Sequence, residues 1–166
     1  MSVRGILRYS GGALLFAAVV CGLWLAGLRL AGKRPRPAEV LAVLYLAALV
    51  QITALRIGLA GHRWLGGTIN PVPLETTLGA WREGPWTFVY HVAGNLIWFV
   101  PLGLLLPMLA PRANGWRVLL AGAGLSLGIE IAQYLLGTGY ADVDDVLLNA
   151  LGALAGYGLR RRLRRR

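Results

Sequence analysis

The sequence predicts an all-α membrane protein: a polytopic bundle of about five transmembrane helices, built as a single integral-membrane domain over residues 1–166. Hydrophobic residues make up 57% of the chain against 14% charged residues, and the mean hydropathy is +0.60. In addition, apolar runs of roughly twenty residues recur along the chain, which is the length that a helix needs to cross a hydrocarbon core. A soluble domain would carry more charge and shorter apolar runs.

The apolar runs are separated by short breaks that are rich in basic residues, glycine and proline. A connector from Lys33 to Pro37 follows the first run, and the segment from Arg112 to Arg117 separates the third from the fourth. Proline disfavours a helical conformation at the residue before it, so such breaks predict loops. The predicted spans cover residues 10–30, 38–60, 88–110, 116–136 and about 142–159.

Two further features shape the predicted bundle. Pro101 lies inside the third span and predicts a kink, because proline removes one backbone hydrogen bond of the helix. Between the second and third spans, residues 61–86 are rich in glycine, proline and tryptophan. Tryptophan concentrates where a membrane meets water. This segment is therefore predicted to lie at a membrane surface.

The distribution of basic residues predicts the orientation of the bundle, because cytoplasmic loops are enriched in lysine and arginine. With five spans and the C-terminus inside, twelve of the seventeen basic residues fall inside and five outside. Six of the twelve belong to the last seven positions, Arg160 to Arg166. We therefore expect the N-terminus outside and the C-terminus inside. The arginine tail is expected to act as an orientation signal beside anionic inner-leaflet lipid, and not to bind nucleic acid.

Polar side chains that are costly in a membrane recur in the last three predicted spans. A charged group at the centre of a bilayer costs roughly 2.5–3.5 kcal/mol on insertion scales, so such residues usually face the bundle interior and mark a function. At about 100° per residue, Asp142, Asp145 and Asn149 share one helix face, whereas Asp144 points away. The predicted topology places all these groups in the outer third of the membrane. The candidate ligand-binding residues are His91, Asn95, Glu130, Gln133, Asp142, Asp145 and Asn149.

Each kind of candidate also has a purely structural interpretation. Asp142 with Asp145 resembles a helix-capping arrangement. Asparagines in membrane helices commonly join neighbouring helices by hydrogen bonds. His91 fits a solvated side chain at the interface, and Glu130 fits a protonated acid between helices. The sequence leaves both the structural and the binding roles open.

The cluster combines acid, amide and imidazole groups. No metalloprotease, nucleophile-elbow, phosphate-loop or paired-cysteine motif occurs in the sequence. No cofactor is predicted, except that Asp142 and Asp145 are candidates to hold a divalent cation. Glu130 is the one candidate for a general acid or base. Whether the protein is an enzyme stays open.

Four segments carry a resemblance to a known family: NPVPL (70–74), NLIWFVPLG (95–103), IEIAQ (129–133) and DVDDVLLNALGALAGY (142–157). Their order and spacing resemble the VanZ-like family of bacterial membrane proteins over about residues 68–159. The family often has an arginine shortly before the aspartates, where this chain reads Gly139-Tyr140-Ala141. By position, the residues that match the family's motifs are Asn95, Pro101, Gly103, Glu130, Gln133, Asp142, Asp145, Asn149 and Gly152.

The resemblance implies a location and a function. The family's founding member is associated with resistance to the glycopeptide teicoplanin, so we expect a multi-pass protein of a bacterial cytoplasmic membrane. An outward-facing polar pocket is expected to bind a cell-envelope ligand, either a lipid-linked precursor or a glycopeptide, and to contribute to glycopeptide resistance. Membrane lipid is the other expected partner.

Two alternatives belong to other classes of function. The first is a membrane-embedded enzyme acting on a lipid-linked substrate, with Glu130 as acid or base and a divalent cation at Asp142 and Asp145. The second is a structural partner of another envelope protein.

Overall fold

The computed structural model describes residues 3–55 and 67–165, with side chains from residue 12 onward within those ranges. The described chain contains helices α1 (Val3–Leu30), α2 (Pro37–Val50), α3 (Glu75–Glu83), α4 (Pro85–Leu109), α5 (Gly115–Leu136) and α6 (Val143–Leu163). A π-helical segment, Gln51–Leu55, continues α2. Two short strands are present, β1 (Thr68–Asn70) and β2 (Tyr140–Asp142).

The helical part of the predicted bundle is confirmed. Four helical segments of the described chain are long and apolar enough to cross a membrane: Gly12–Leu30, Pro37–Leu55, Pro85–Leu109 and Gly115–Leu136. α6 is a further long helix, of 21 residues, which carries aspartates in its first turn and arginines in its last. It continues to Leu163, past the predicted end at residue 159. The predicted end of the second span, residues 56–60, lies outside the described residues.

α4, α5 and α6 pack side by side and give the bundle two distinct ends. α4 and α6 run parallel, since Leu96 lies against Gly152 and, one turn later, Val100 lies against Gly156. α5 runs antiparallel to α6, because its contacts with α6 follow the opposite order along the chain. We call the end with the first turns of α4 and α6 and the last turn of α5 the polar end. The opposite end, with the last turns of α4 and α6, is the arginine end.

The interface between α4 and α6 is so close that it requires glycine. A Cβ atom added to Gly152 would overlap the carbonyl oxygen of Leu96, and one added to Gly156 would overlap that of Val100. Gly103 approaches the backbone of α6 in the same way from α4. Small residues four positions apart allow helix backbones to approach closely in membranes. This approach brings the polar side chains of α4 within hydrogen-bonding distance of α6.

The core between the helices is apolar and built around one large side chain, Phe99 of α4, which is almost fully buried. The residues packed with it come from α2 and its π-helical segment, α5 and α6. They are Leu49, Ala54, Val118, Ile129 and Ala153.

The polar end carries a small cap that the sequence analysis missed. β1 and β2 pair in parallel, with Thr68, Ile69 and Asn70 opposite Tyr140, Ala141 and Asp142. α3 follows β1 and packs against α4. Strands of three residues are too short to show an alternating pattern, and the segment that holds α3 was expected only to lie at a membrane surface. The all-α description therefore fits the bundle but omits this two-stranded sheet.

The last described residues of α2 and its π-helical segment lie at the polar end. Gln133 Nε2 of α5 donates to the carbonyl oxygen of Thr53 at 3.0 Å, and Thr138 Oγ1 donates to that of Ala54 at 2.8 Å. α5 and the loop after it thus hold the π-helical segment against the polar end of the bundle. The start of α2, with the basic connector before it, accordingly lies at the arginine end.

The close α4–α6 interface predicts a steric effect at Gly152. The change Gly152→Ala should lower the free energy of unfolding by roughly 1–3 kcal/mol, because the new methyl group has to push α4 and α6 apart. Gly158→Ala in the same helix is the matched control, since a Cβ atom there meets nothing within 4 Å. Thermal unfolding of the detergent-solubilised protein measures both. Equal stability of the two variants would contradict the close packing.

Candidate functional site

A cavity of about 390 Å³ lies at the polar end between α4, α5 and α6. Six of the seven predicted residues line it: His91, Asn95, Glu130, Gln133, Asp145 and Asn149. The seventh, Asp142, lines a second cavity of about 340 Å³. The two cavities share His91, Gln133 and Asp145. The structure thus brings the seven predicted side chains together around two adjoining cavities.

Asp145 and Asn149 of α6 lie one helical turn apart and join the neighbouring helices. Asn95 Nδ2 of α4 donates to Asp145 Oδ1 at 2.7 Å. Asn149 Nδ2 donates to Ser126 Oγ of α5 at 2.8 Å. These two bonds fix α6 between α4 and α5 through the helix face that its periodicity predicts. The interpretation of the asparagines as groups that join helices therefore describes their geometry correctly.

Glu130 is buried, with 5% of its surface exposed, and it holds the start of α6. Its Oε2 accepts the backbone N–H of Asp142 at 3.0 Å. The first backbone N–H groups of a helix have no partner within the helix and form the positive end of its dipole. A carboxylate at that position is stabilised without a basic side chain. Glu130 therefore joins α5 to α6 and lines the larger cavity at the same time.

Asp142 acts as the N-cap of α6, as its structural interpretation predicts. Its Oδ1 accepts the backbone N–H of Asp144 at 2.9 Å, and its Oδ2 accepts the hydroxyl of Thr76. Both carboxylate oxygens are thus engaged by protein donors.

The candidate cation site has little support in this geometry. Within residues 3–55 and 67–165, no group of three or more histidine, cysteine, aspartate or glutamate side chains is arranged to hold a metal ion. Asp145 keeps one oxygen beyond its bond with Asn95, but Asp142 offers none that is free of a protein donor.

His91 of α4 lies at the boundary of the two cavities. Its Nε2 is 3.4 Å from Thr77 Oγ1 of α3, and its ring lines both cavities. It is half-buried and has contacts with the cap as well as the bundle. The imidazole therefore combines a structural contact with a position on the cavity wall.

Two residues that line the larger cavity each have a buried side-chain oxygen without a hydrogen-bond partner in the described part of the chain. Gln133 and Asn149 are each 6% exposed, and within residues 3–55 and 67–165 their Oε1 and Oδ1 atoms accept no hydrogen bond. The orientation of Gln133 is fixed, because its amide nitrogen donates to the Thr53 carbonyl oxygen, which can only accept. A buried acceptor without a partner costs about 1–3 kcal/mol. Two of the residues that line the larger cavity therefore keep unused hydrogen-bond acceptors within the described structure.

Asp144 does not line the larger cavity and instead holds the cap, which the sequence analysis did not foresee. Its Oδ1 accepts the backbone N–H of Leu74, and its Oδ2 accepts that of Thr77 at 2.8 Å. Leu74 has a positive φ of 67° and precedes the first turn of α3. Non-glycine residues adopt that conformation only where the surroundings enforce it. Asp144, which is 1% exposed, supplies that enforcement by capping α3 from α6.

Several residues at the polar end were missed as contributors. Asn70 Nδ2 donates to Thr76 Oγ1 at 3.0 Å, and Thr76 in turn donates to Asp142. Asn70 also accepts the backbone N–H of Val72 at 3.1 Å. The sequence could have predicted this local turn, because an asparagine before a proline is typical of turns. The contact of Thr76 with Asp142 joins positions 66 residues apart, and local patterns do not report such contacts.

The comparison with known proteins agrees with this architecture. The family model described as VanZ/LLP1 matches residues 42–164. The chain belongs to the VanZ/LLP1 family. It is also similar to Protein VanZ from Enterococcus faecium, with 29% identity over 125 residues that cover 72% of each chain. No solved structure matches the chain significantly.

The VanZ/LLP1 match includes every element that forms the two cavities. It begins within α2, ends after α6, and contains all seven predicted site residues. α1 lies outside the matched range. Together with four helices that are long and apolar enough to cross a membrane, the family match identifies the chain as a membrane protein.

The different roles of the neighbouring residues Asp144 and Asp145 can be tested by mutation. Asp144→Asn should lower the free energy of unfolding by about 1–3 kcal/mol, because its new amide group faces backbone N–H groups that need an acceptor. Asp145→Asn is the matched control. Its remaining oxygen can still accept from Asn95 while its amide faces the cavity, so thermal unfolding should change less. Equal losses in the two variants would contradict the separate roles.

Proposed function

We propose that this VanZ/LLP1-family protein is a single-domain, multi-pass protein of a bacterial cytoplasmic membrane that binds a cell-envelope ligand in its larger polar-end cavity. Through that binding it contributes to glycopeptide resistance. One observation carries the proposal: Gln133 and Asn149, which line this cavity, have side-chain oxygens that accept no hydrogen bond within the described part of the chain. The family's association with teicoplanin resistance supports the choice of ligand class.

The chemistry of the cavity wall favours a ligand that donates hydrogen bonds. Besides the two free amide oxygens, the wall carries the carboxyl groups of Glu130 and Asp145. Hydroxyl, amide N–H and ammonium groups match such a surface, whereas a phosphate would meet negative charge and acceptors. Glycopeptides and the peptide and sugar parts of a lipid-linked envelope precursor present donors of this kind. The ligand is therefore engaged through those parts and not through a pyrophosphate.

The alternative of an enzyme that acts on a lipid-linked substrate assigns a divalent cation to Asp142 and Asp145. Both carboxylate oxygens of Asp142 accept hydrogen bonds from the protein, so a cation there would share them with Thr76 and the α6 backbone. Glu130 remains the residue that an acid or base role would use. In the proposed function it is part of the binding wall.

The orientation of the protein is part of the proposal. The connector before α2, the loop between α4 and α5 and the arginine tail all lie at the arginine end, so the positive-inside rule supports a cytoplasmic location for that end. The cavities then face outward. Trp81 and Trp86, which are strongly exposed near the start of α4, support a membrane–water interface at the polar end.

A resistance assay tests the proposed function. The chain, expressed in a glycopeptide-susceptible bacterium, should reduce susceptibility to teicoplanin, and Asp145→Asn and Glu130→Gln should abolish that effect at normal protein levels. Loss of one hydrogen bond to a charged group costs about 1.5–3 kcal/mol, which weakens binding by about tenfold or more.

The matched control removes the same charge away from the cavity. Glu83→Gln, at the exposed end of α3, should keep full resistance. Full activity of Asp145→Asn and Glu130→Gln would refute the assigned cavity, and no resistance from the unmodified chain would refute the function itself.

Labelling of introduced cysteines tests the orientation. In a background with Cys21→Ala, Glu83→Cys at the polar end should react with an impermeant maleimide in intact cells. Ala110→Cys at the arginine end should react only after permeabilisation. Both positions are exposed, so access to the reagent depends on the side of the membrane. The reverse pattern would exclude an outward-facing cavity.

A further inference from the structure

A separate cavity of about 260 Å³ lies at the arginine end, between the last turns of α4 and α6 and the loop that follows α4. Its wall combines apolar and cationic groups. The residues that line it include Pro107, Tyr157, Arg160, Arg161, Arg164 and Arg165. Four arginines thus line one small concave site at the place where two long helices end.

The chain supplies no acidic side chain to balance these arginines. The sequence has seven acidic residues, all within the described ranges. Glu39 forms an ion pair with Arg36 at 2.8 Å. The other six belong to α3, to the last turns of α5 or to the start of α6, which are all at the polar end. No acidic side chain therefore balances the arginine cavity, which favours a counter-charge from another molecule.

The shortage of acceptors at the arginine end also applies to one particular side chain, Arg160. Its Nε atom is buried and has no hydrogen-bond partner among residues 3–55 and 67–165. Basic residues in the last turn of a helix interact favourably with the helix dipole, which accounts for arginines in this position in general. The dipole interaction does not supply an acceptor for the buried Nε–H of Arg160. A guanidinium group forms paired hydrogen bonds with the oxygens of a phosphate, and its Nε–H is part of that fork.

We infer that the arginine-end cavity binds the phosphate group of an anionic phospholipid. The site combines a cationic wall with the apolar surfaces of Pro107 and Tyr157, and it opens where α4 leaves the apolar part of the bundle. Basic pockets between membrane helices are a known way of holding lipid headgroups. The arginine tail is then a lipid site in addition to an orientation signal. This inference does not depend on the ligand of the polar-end cavity.

Lipid binding to the purified full-length chain tests the site. In native mass spectrometry from a neutral detergent, phosphatidylglycerol should bind at least about tenfold more tightly than phosphatidylcholine with the same acyl chains, since several arginines each add to the attraction. Arg160→Lys should weaken binding of phosphatidylglycerol about threefold or more, although the net charge is unchanged, because lysine lacks the Nε–H and the planar fork.

Arg162→Lys is the matched control, since Arg162 is exposed and does not line the cavity. It should bind phosphatidylglycerol as the unmodified chain does. Equal effects of the two lysine changes would overturn the site in favour of diffuse attraction. Displacement of phosphatidylglycerol by millimolar inorganic phosphate would overturn the assignment to lipid.

A second variant keeps the test decisive if Arg160→Lys does not fold. The combined change of Arg160, Arg161, Arg164 and Arg165 to Gln should abolish the preference for phosphatidylglycerol while circular dichroism shows an unchanged helix content. A retained preference in that variant would overturn the proposal.

Discussion

The structure depends on supplying hydrogen-bond donors to carboxyl groups in surroundings that offer almost none. Hydrocarbon does not donate hydrogen bonds, so an acid enclosed at the polar end needs a donor from the protein. Glu130, Asp142 and Asp144 are buried and Asp145 is half-buried, and each of the four has such a donor. Glu130 uses the backbone at the start of α6, Asp142 uses Thr76 and the α6 backbone, Asp144 uses the α3 backbone, and Asp145 uses Asn95. The cap and the close approach of α4 to α6 follow from this requirement, because they bring those donors within reach.

This requirement also divides the polar residues into two groups. Asp142 and Asp144 have both carboxylate oxygens engaged, and they build the junction of α6 with the cap. Gln133 and Asn149 use their amide nitrogens to hold helices together and leave their oxygens unused. Oxygens in such positions take their donors from water or from a ligand. The difference between the two groups is the structural reason to separate the scaffold from the cavity wall.

The parts of this fold that follow from local periodicity could be predicted from the sequence, and the parts that depend on distant contacts could not. The long helices and the shared face of Asp145 and Asn149 result from composition and a 3.6-residue repeat. The same repeat shows that Asp144 lies on a different face of α6. It cannot show that this face contacts α3, because the partner residue, Thr77, lies 67 residues earlier in the chain. The strands are too short to carry a pattern of their own. The candidate cation site at Asp142 loses support because of another distant contact. Thr76, which donates to the Asp142 carboxylate, belongs to a segment whose sequence does not predict a helix.

The two ends of the bundle have opposite chemistry, and this asymmetry links the two proposed sites. The polar end has acids and unused acceptor oxygens, whereas the arginine end has cationic groups and an unused donor on Arg160. The groups at one end cannot satisfy those at the other, because the long helices hold the two ends too far apart for any hydrogen bond between them. Each end therefore has groups that a molecule from outside the chain can complement. The proposed donor-rich envelope ligand would complement the polar end, and the proposed lipid phosphate would complement the arginine end.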